Sequence, residues 1–226
     1  WVLFLDADVR LAPPALGAAL TETQRRGWDG ISLWGTWEVP SFGARLLQSV
    51  VGGFVRGAHP IPRVNDPSKP DAFLNGQILL IRRDAMRALG GWESVRTEVL
   101  EDVALARRAK KRGIRIGMLR APELMRVVPY RSFGEVWRGY LKNFVAGAGG
   151  EWRALGAAAA IFIASVLPFV VLASEIAHGV PSALRLIASA AACAAAVAYR
   201  AGTAKLFHHP AGDALLHPFA NAAFVA

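Results

Sequence analysis

The chain opens on five apolar residues, Trp1-Val2-Leu3-Phe4-Leu5, whose length and lack of polar interruption predict a buried strand. Pro14 suits the first turn of a helix running to about Arg26, with Gly27 as its stop. Ile31-Ser32-Leu33-Trp34 predicts the next strand, and a strand–helix–strand unit of this kind predicts a parallel sheet. From 42 to 55 the apolar residues Phe42, Leu46, Leu47, Val50, Val51, Phe54 and Val55 fall at helical spacing. That helix suits either a protein core or a lipid surface. The proline-rich stretch from Ala58 to Pro70 predicts a loop.

Phe73 to Arg82 predicts a strand, and Asp84 can cap a short helix that ends at Gly90-Gly91. A stronger helix is expected from Glu101 to Gly113, followed by a strand from Ile114 to Leu119. Ser132-Phe133-Gly134-Glu135 is a capping-box pattern. Behind it, Phe133, Trp137, Tyr140, Leu141 and Phe144 share one helical face, with Arg131, Arg138 and Lys142 nearby. This composition predicts a helix lying in a membrane interface over 131–153, against the alternative of a core helix.

From Ala154 to Ser174 there are 21 consecutive uncharged, mostly apolar residues, enough to span a bilayer. A further span is expected at about 180–199, and a third, truncated one begins around Ala214 and is cut off at Ala226. Arg185 lies near one end of the second, where it can snorkel. Charge sharpens this division. Of the 26 Lys and Arg only Arg185, Arg200 and Lys205 lie beyond residue 153, and of the 17 Asp and Glu only Glu175 and Asp213. Arg131, Arg138, Lys142 and Arg153 precede the first span, Arg200 and Lys205 follow the second, and the connection around His178-Gly179-Val180-Pro181 has none. By the positive-inside rule the N-terminal domain is cytoplasmic, in a multi-pass protein of the plasma membrane.

The net charge of +9 fits a nucleic acid, an anionic membrane surface or a phosphate-bearing substrate. The charges are scattered and not interleaved with exposed aromatics, which argues against nucleic acid. Cys193 is the single cysteine, so neither a disulfide framework nor a thiolate metal site can form within one chain. The five histidines show no metal-ligand spacing. With no initiator Met and a strand already under way at Trp1, the chain is expected to lack an N-terminal part of its fold.

Candidate chemistry begins at Asp6-Ala7-Asp8, directly after the first strand. Carboxylates at the carboxyl end of a strand sit where α/β sheets bind ligands, and hard oxygen donors suit Mg²⁺ or Mn²⁺. Asp-x-Asp is equally a common solvated turn. Glu101-Asp102 opens a helix, where the helix dipole alone accounts for acidic residues. A carboxylate there can also take a proton from a hydroxyl. Gly90-Gly91-Trp92 serves as a helix stop or as a place where backbone approaches a sugar.

Taken in order, Asp6-Ala7-Asp8, Asn75-Gly76-Gln77, Arg82-Arg83-Asp84, Gly90-Gly91-Trp92-Glu93, Glu101-Asp102 with Leu105-Ala106-Arg107, and the basic aromatic helix with Lys142-Asn143 resemble family 2 glycosyltransferases. The likeness covers roughly residues 1–150 and lies nearest the membrane-bound branch that includes carotenoid- and hopanoid-associated enzymes. It implies an α/β, GT-A (Rossmann-like) catalytic domain over 1–130, incomplete at its N-terminus, followed by transmembrane helices in 154–226. It implies inverting transfer of a sugar from a UDP- or GDP-sugar to a lipid, polysaccharide or other hydroxyl acceptor. Asp6 and Asp8 match the family's metal-binding Asp-x-Asp, with Asp8 the more direct ligand. Asp102 matches the general base, with Glu101 beside it. Gly91 and Trp92 match the loop facing donor and acceptor, and Asn75, Gly76 and Gln77 match the acceptor-side strand. The processive Gln-x-x-Arg-Trp signature is missing, with only a reversed Trp137-Arg138, which favours addition of one sugar over polymer synthesis. The alternatives are a processive polysaccharide synthase, which would need a continuous transmembrane channel, and a catalytically inactive, membrane-tethered sugar-nucleotide-binding module.

Overall fold

A computed structural model describes residues 1–178 and 182–226. The elements run β1 (Val2–Leu5), β2 (Val9–Leu11), α1 (Ala15–Arg25), β3 (Gly30–Trp34), β4 (Thr36–Trp37), α2 (Phe42–Ala58), α3 (Ile61–Asn65), β5 (Ile78–Ile81), α4 (Arg83–Leu89) and α5 (Glu101–Lys111). They continue with β6 (Ile116–Arg120), β7 (Met125–Val127), α6 (Phe133–Ala148), α7 (Glu151–Ser165), α8 (Leu167–Ala177), α9 (Ala183–Leu206) and α10 (His217–Val225). The chain forms two compact units, one of Trp1–Glu38 with Val55–Pro129 and one of Val39–Phe54 with Tyr130–Ala226.

The first unit is built on a four-stranded sheet in the order β1-β5-β3-β6. The sheet is mixed, not parallel as the strand–helix–strand pattern predicts. β5 inserts between β1 and β3 and runs antiparallel to both, while β3 and β6 pair in parallel. β5 is buried throughout, and its side chains alternate between two cores. Leu79 and Ile81 join Leu89 and Leu105 on one face, whereas Ile78 and Leu80 join Ile31 and Leu33 on the other. β1, at the sheet edge, is only half-buried, and Leu5 is exposed.

This arrangement brings the carboxyl ends of β1, β3 and β6 and the start of β5 to one edge. A second, three-stranded sheet of order β2-β7-β4 lies outside the sequence expectation, because strands of two or three residues carry no measurable alternation.

Helix ends follow backbone chemistry more than side-chain capping. Pro14 occupies the N-cap of α1, one place before its first turn, and Gly27 ends the helix region with φ +61°. The stretch expected as a loop from 58 to 70 contains α3, where Pro62 sits in the first turn and its missing N–H removes no helical bond. Asp84 does not cap α4. Arg82 holds that place, and the Asp84 carboxylate accepts from the Ala85 N–H at 2.9 Å and pairs with Arg82. Gly90 then closes α4 in the left-handed region at φ +84°.

In the second unit α2 is a core helix, which decides between its two sequence readings. Ala44, Leu47, Gln48 and Ser49 are buried, and Gln48 Nε2 donates to the Tyr140 hydroxyl at 2.8 Å. The Ser132 hydroxyl accepts from the Glu135 N–H at 3.3 Å, so half of the capping box forms. Glu135 reaches back one residue farther than the motif requires, to the Arg131 N–H at 2.8 Å. Of the expected apolar face of α6, Trp137 and Tyr140 pack beside Val136 on Ala44 and Leu47, while Phe133 and Leu141 stay exposed.

Among the described residues, two helical stretches are long and apolar enough to cross a membrane. Glu151–Ala177 comprises α7 and α8 with a break at Val166 ahead of Pro168, and Ala183–Leu206 is α9. Their most apolar segments are 6% and 17% buried, unlike the core helix of a globular protein. Where the third, truncated span is expected from 214, a 3-10 turn at Ala211–Leu216 leads into α10, which runs from His217 to Val225. Arg200 is no loop cation. It lies inside α9, 2% exposed, and donates to the Leu46 carbonyl at 2.8 Å. Arg185 pairs with Glu175 at 2.9 Å, and part of the expected connection, 179–181, lies outside the described residues.

Candidate active site

The ligand-facing edge of the first unit is assembled by short-range backbone bonds. β1 ends at Leu5, and the Asp6 N–H extends its ladder to the Gln77 carbonyl at 3.0 Å. The chain turns at once, with the Val9 N–H returning to the Asp6 carbonyl at 3.2 Å. Asp6 and Asp8 are thereby displayed on an exposed turn. Partial withdrawal from water raises the Asp6 carboxyl above the ordinary aspartate range, and the charges of Asp8 and Glu101 raise it further. The Asp6–Gln77 and Gly76–Asp102 bonds bring the start of α5 beside the turn.

Asp102 is held more tightly than an ordinary first-turn carboxylate. Its Oδ1 accepts from its neighbour's N–H, Val103, at 2.7 Å, and its Oδ2 accepts from the Gly76 N–H at 3.0 Å. Burial raises its pKa, and the two backbone bonds and the Glu101 charge act as smaller opposing and supporting influences. The result is an oriented carboxylate with a stronger hold on a proton than a surface aspartate. Gly76 leaves room for this carboxylate. A Cβ there would stand 3.0 Å from Asp102 Oδ2 and 3.2 Å from Asp102 Cβ.

Asn75, expected on the acceptor side, is tied into the scaffold. Its Nδ2 donates to the Leu33 carbonyl at 2.8 Å and to Gln77 Oε1 at 3.1 Å. These bonds accompany the late start of β5, since Asn75, Gly76 and Gln77 direct backbone and side-chain polar groups to Ser32, Leu33, Asp102 and Asp6. Ser32, fully buried, completes the clamp. Its hydroxyl accepts from the Asn75 N–H and donates to the Asn75 carbonyl, both at 3.0 Å. Sequence reasoning missed Ser32, although a lone hydroxyl in an apolar strand is the signal that marks it.

Gly91 has φ +62° with open space where a Cβ would stand. Trp92 meets Phe4 edge-on, with ring centroids 5.5 Å apart and an interplanar angle of 89°. The tryptophan is thus braced against β1 two residues before Asp6. The structure brings Asp6, Asp8 and Glu101 into one field, joins Asp102 to Gly76, and joins Asn75 to Gln77. Among the described residues no group of three or more His, Cys, Asp or Glu side chains is placed to hold a metal by itself.

The family model for Glycosyl transferase family group 2 matches residues 1–199. The chain belongs to this family. As a family 2 glycosyltransferase it transfers a glycosyl group, and the family implies a nucleotide-sugar donor and an acceptor. The match runs past the mixed α/β unit through α7 and α8 and into α9, so the apolar helices belong to the family's extent. No curated protein matches the chain.

Proposed function

We propose that this glycosyltransferase is a membrane-bound, inverting, metal-dependent enzyme that adds one sugar from a UDP- or GDP-sugar to a hydroxyl of a lipid acceptor. The observation that carries the reading is Asp102, a carboxylate with its pKa raised by burial and its orientation fixed by two backbone N–H groups. In this account the acceptor hydroxyl lies against Asp102, which takes its proton as the oxygen attacks the anomeric carbon. A carbon–oxygen bond forms on one face of the sugar and the bond to the diphosphate breaks on the other, the leaving group departing with the electron pair.

Asp6 and Asp8 would hold Mg²⁺ or Mn²⁺. Two hard carboxylates suit an ion that keeps waters and takes substrate phosphates as its remaining ligands, and the mutual repulsion felt at Asp6 is what a cation relieves. When bound, the ion supplies charge neutralisation for the departing diphosphate. Asn75 and Gln77 set the floor of the site through Leu33, and Gly91 and Trp92 form its sugar-facing rim.

For the membrane reading, support comes from the exposure of α7–α8 and α9. Arg131, Arg138, Lys142 and Arg153 are all exposed ahead of these helices, which favours a cytoplasmic catalytic unit in the plasma membrane. With Arg200 buried, the orientation rests chiefly on these four. The domain limits near 130 and 153 belong to the same proposal.

The test is turnover of a panel of UDP- and GDP-sugars by the protein in membranes, with and without Mn²⁺ or Mg²⁺. Metal-dependent consumption of one donor is the expected result. A folded protein that turns over no donor would contradict the proposal.

A further inference from the structure

Strand β6 is the last in its sheet, so one row of its backbone groups points away from β3. The Gly30 N–H donates to the Arg115 carbonyl at 3.2 Å, and the Ala121 N–H donates to the Trp34 carbonyl at 2.9 Å. With the parallel register, this sets Gly117 and Leu119 towards β3 and turns the N–H and C=O of Ile116 and Met118 outward. Met118 is met there by a side chain. Asn65, at the end of α3, accepts from the Met118 N–H through Oδ1 and donates to its carbonyl through Nδ2, both at 2.8 Å. One carboxamide thus pairs with both backbone groups of a single strand residue. Ile116 turns the same pair of groups outward, and among the described residues neither has a partner.

Ile116 lines a cavity of about 170 Å³ between α3, α5 and β6. Its floor is apolar, since Val64, Leu74 and Ala109 are buried, and Trp28 adds an aromatic wall. Pro67, Gly113 and Arg115 are exposed at its mouth. The outer wall is fixed in place. Lys110 Nζ donates to the Val64 carbonyl at 3.0 Å and to the Asp71 carbonyl at 2.5 Å, tying both ends of the 64–71 segment to α5. A cavity of about 150 Å³ holds benzene, so this one has room for a single six-membered ring.

We infer that this cavity binds a six-membered cyclic amide, a flat ring whose adjacent C=O and N–H pair with the N–H and C=O of Ile116. The Asn65 carboxamide on Met118 is the pattern for this pairing, one outward residue along the same strand. The apolar floor and the Trp28 ring take the remaining ring atoms, as in other small-molecule sites. Any substituent leaves through the mouth. Asp102 and Lys111, at the two ends of α5, are about 14 Å apart at 1.5 Å per residue, and the mouth lies beyond the Lys111 end. The site is therefore separate from the proposed transfer centre, and the inference stands without it.

The probe is 2-pyridone, a single ring with adjacent N–H and C=O. It is titrated into the detergent-solubilised full chain with no donor or metal present, and saturation transfer from protein to ring protons reads its binding. N-methyl-2-pyridone keeps the carbonyl but cannot donate to Ile116, and it is expected to bind at least tenfold more weakly. Ala109→Met, which fills the floor, is expected to abolish binding, with thermal unfolding as the check on folding. Competition by both uracil and uridine assigns a nucleoside whose ribose lies in the mouth, whereas competition by uracil alone assigns the free base. Equal binding of the two pyridones to the wild type overturns the amide pairing, and this comparison needs no variant to fold. Undiminished binding in folded Ala109→Met overturns the site, as does a wild type that does not bind 2-pyridone. No sugar is transferred in this experiment, so its failure leaves the glycosyltransferase reading standing.

Discussion

The Gly76 N–H donates to Oδ2 of Asp102 across 3.0 Å, joining two residues 26 positions apart in the sequence. The bond links the entry to β5 with the first turn of α5 and fixes which way the carboxylate points. It also explains the glycine, since a Cβ at 76 would press on the same oxygen.

Gly76→Ala is therefore expected to slow transfer by roughly two- to tenfold while the protein still folds. The added methyl makes the oriented carboxylate give by a few tenths of an ångström, and a displacement of about 1 Å costs on the order of a hundredfold. Steady-state kinetics, with thermal unfolding as the control, will read it. A wild-type kcat in the alanine variant would show that the carboxylate's orientation is immaterial.

The raised pKa of Asp102 predicts the shape of the pH profile. A base must be ionised, so kcat/KM should fall as pH drops through the folded pKa, on a limb above the ordinary aspartate range. The stability sign is opposite. The folded state holds this proton more firmly than the unfolded one, so its contribution is present at low pH and lost as pH rises through the folded value. Asp102→Asn should remove that part of the pH dependence of unfolding.

Chelation should abolish transfer, and Mn²⁺ or Mg²⁺ should restore it. Asp8→Ala is expected to raise the metal concentration for half-maximal activity at least tenfold, since one of two protein ligands is removed. A metal titration of the variant in the transfer assay decides the matter, and an unchanged midpoint would remove Asp8 from the metal site.

Packing in the first unit offers a stability prediction independent of chemistry. A Cβ on Gly117 would lie 1.9 Å from the Trp28 ring, so Gly117→Ala forces the indole or β6 to move. The expected cost is about 1–3 kcal/mol, measurable by denaturant unfolding of the solubilised protein. A neutral effect would mean that Trp28 has room to turn aside.

Much of this architecture was legible in sequence where the signal was long. β3, β5 and α5 were located by uninterrupted apolarity or by an acidic start and a basic end, and the apolar segments after residue 150 by length. β2, β4 and β7 were not, because two or three residues are too few to show a period. The antiparallel insertion of β5 was hidden too, since local pattern says nothing of which strand pairs with which. Arg200 misled for a related reason. A cation after an apolar run looks like a loop residue, and only the approach of the Leu46 carbonyl shows that it is buried. At the site, Asp6, Asp8 and Asp102 stood out as carboxylates, but the Asp102–Gly76 bond and the Ser32–Asn75 clamp depend on tertiary contacts that spacing cannot reveal.

The most direct test of the account is the transfer rate of Asp102→Asn beside the wild type, with the donor and metal that support turnover. Loss of general-base catalysis predicts a fall of about 10²–10⁴-fold with donor binding retained. A rate close to wild type in a folded variant would contradict the assignment of Asp102 as the base.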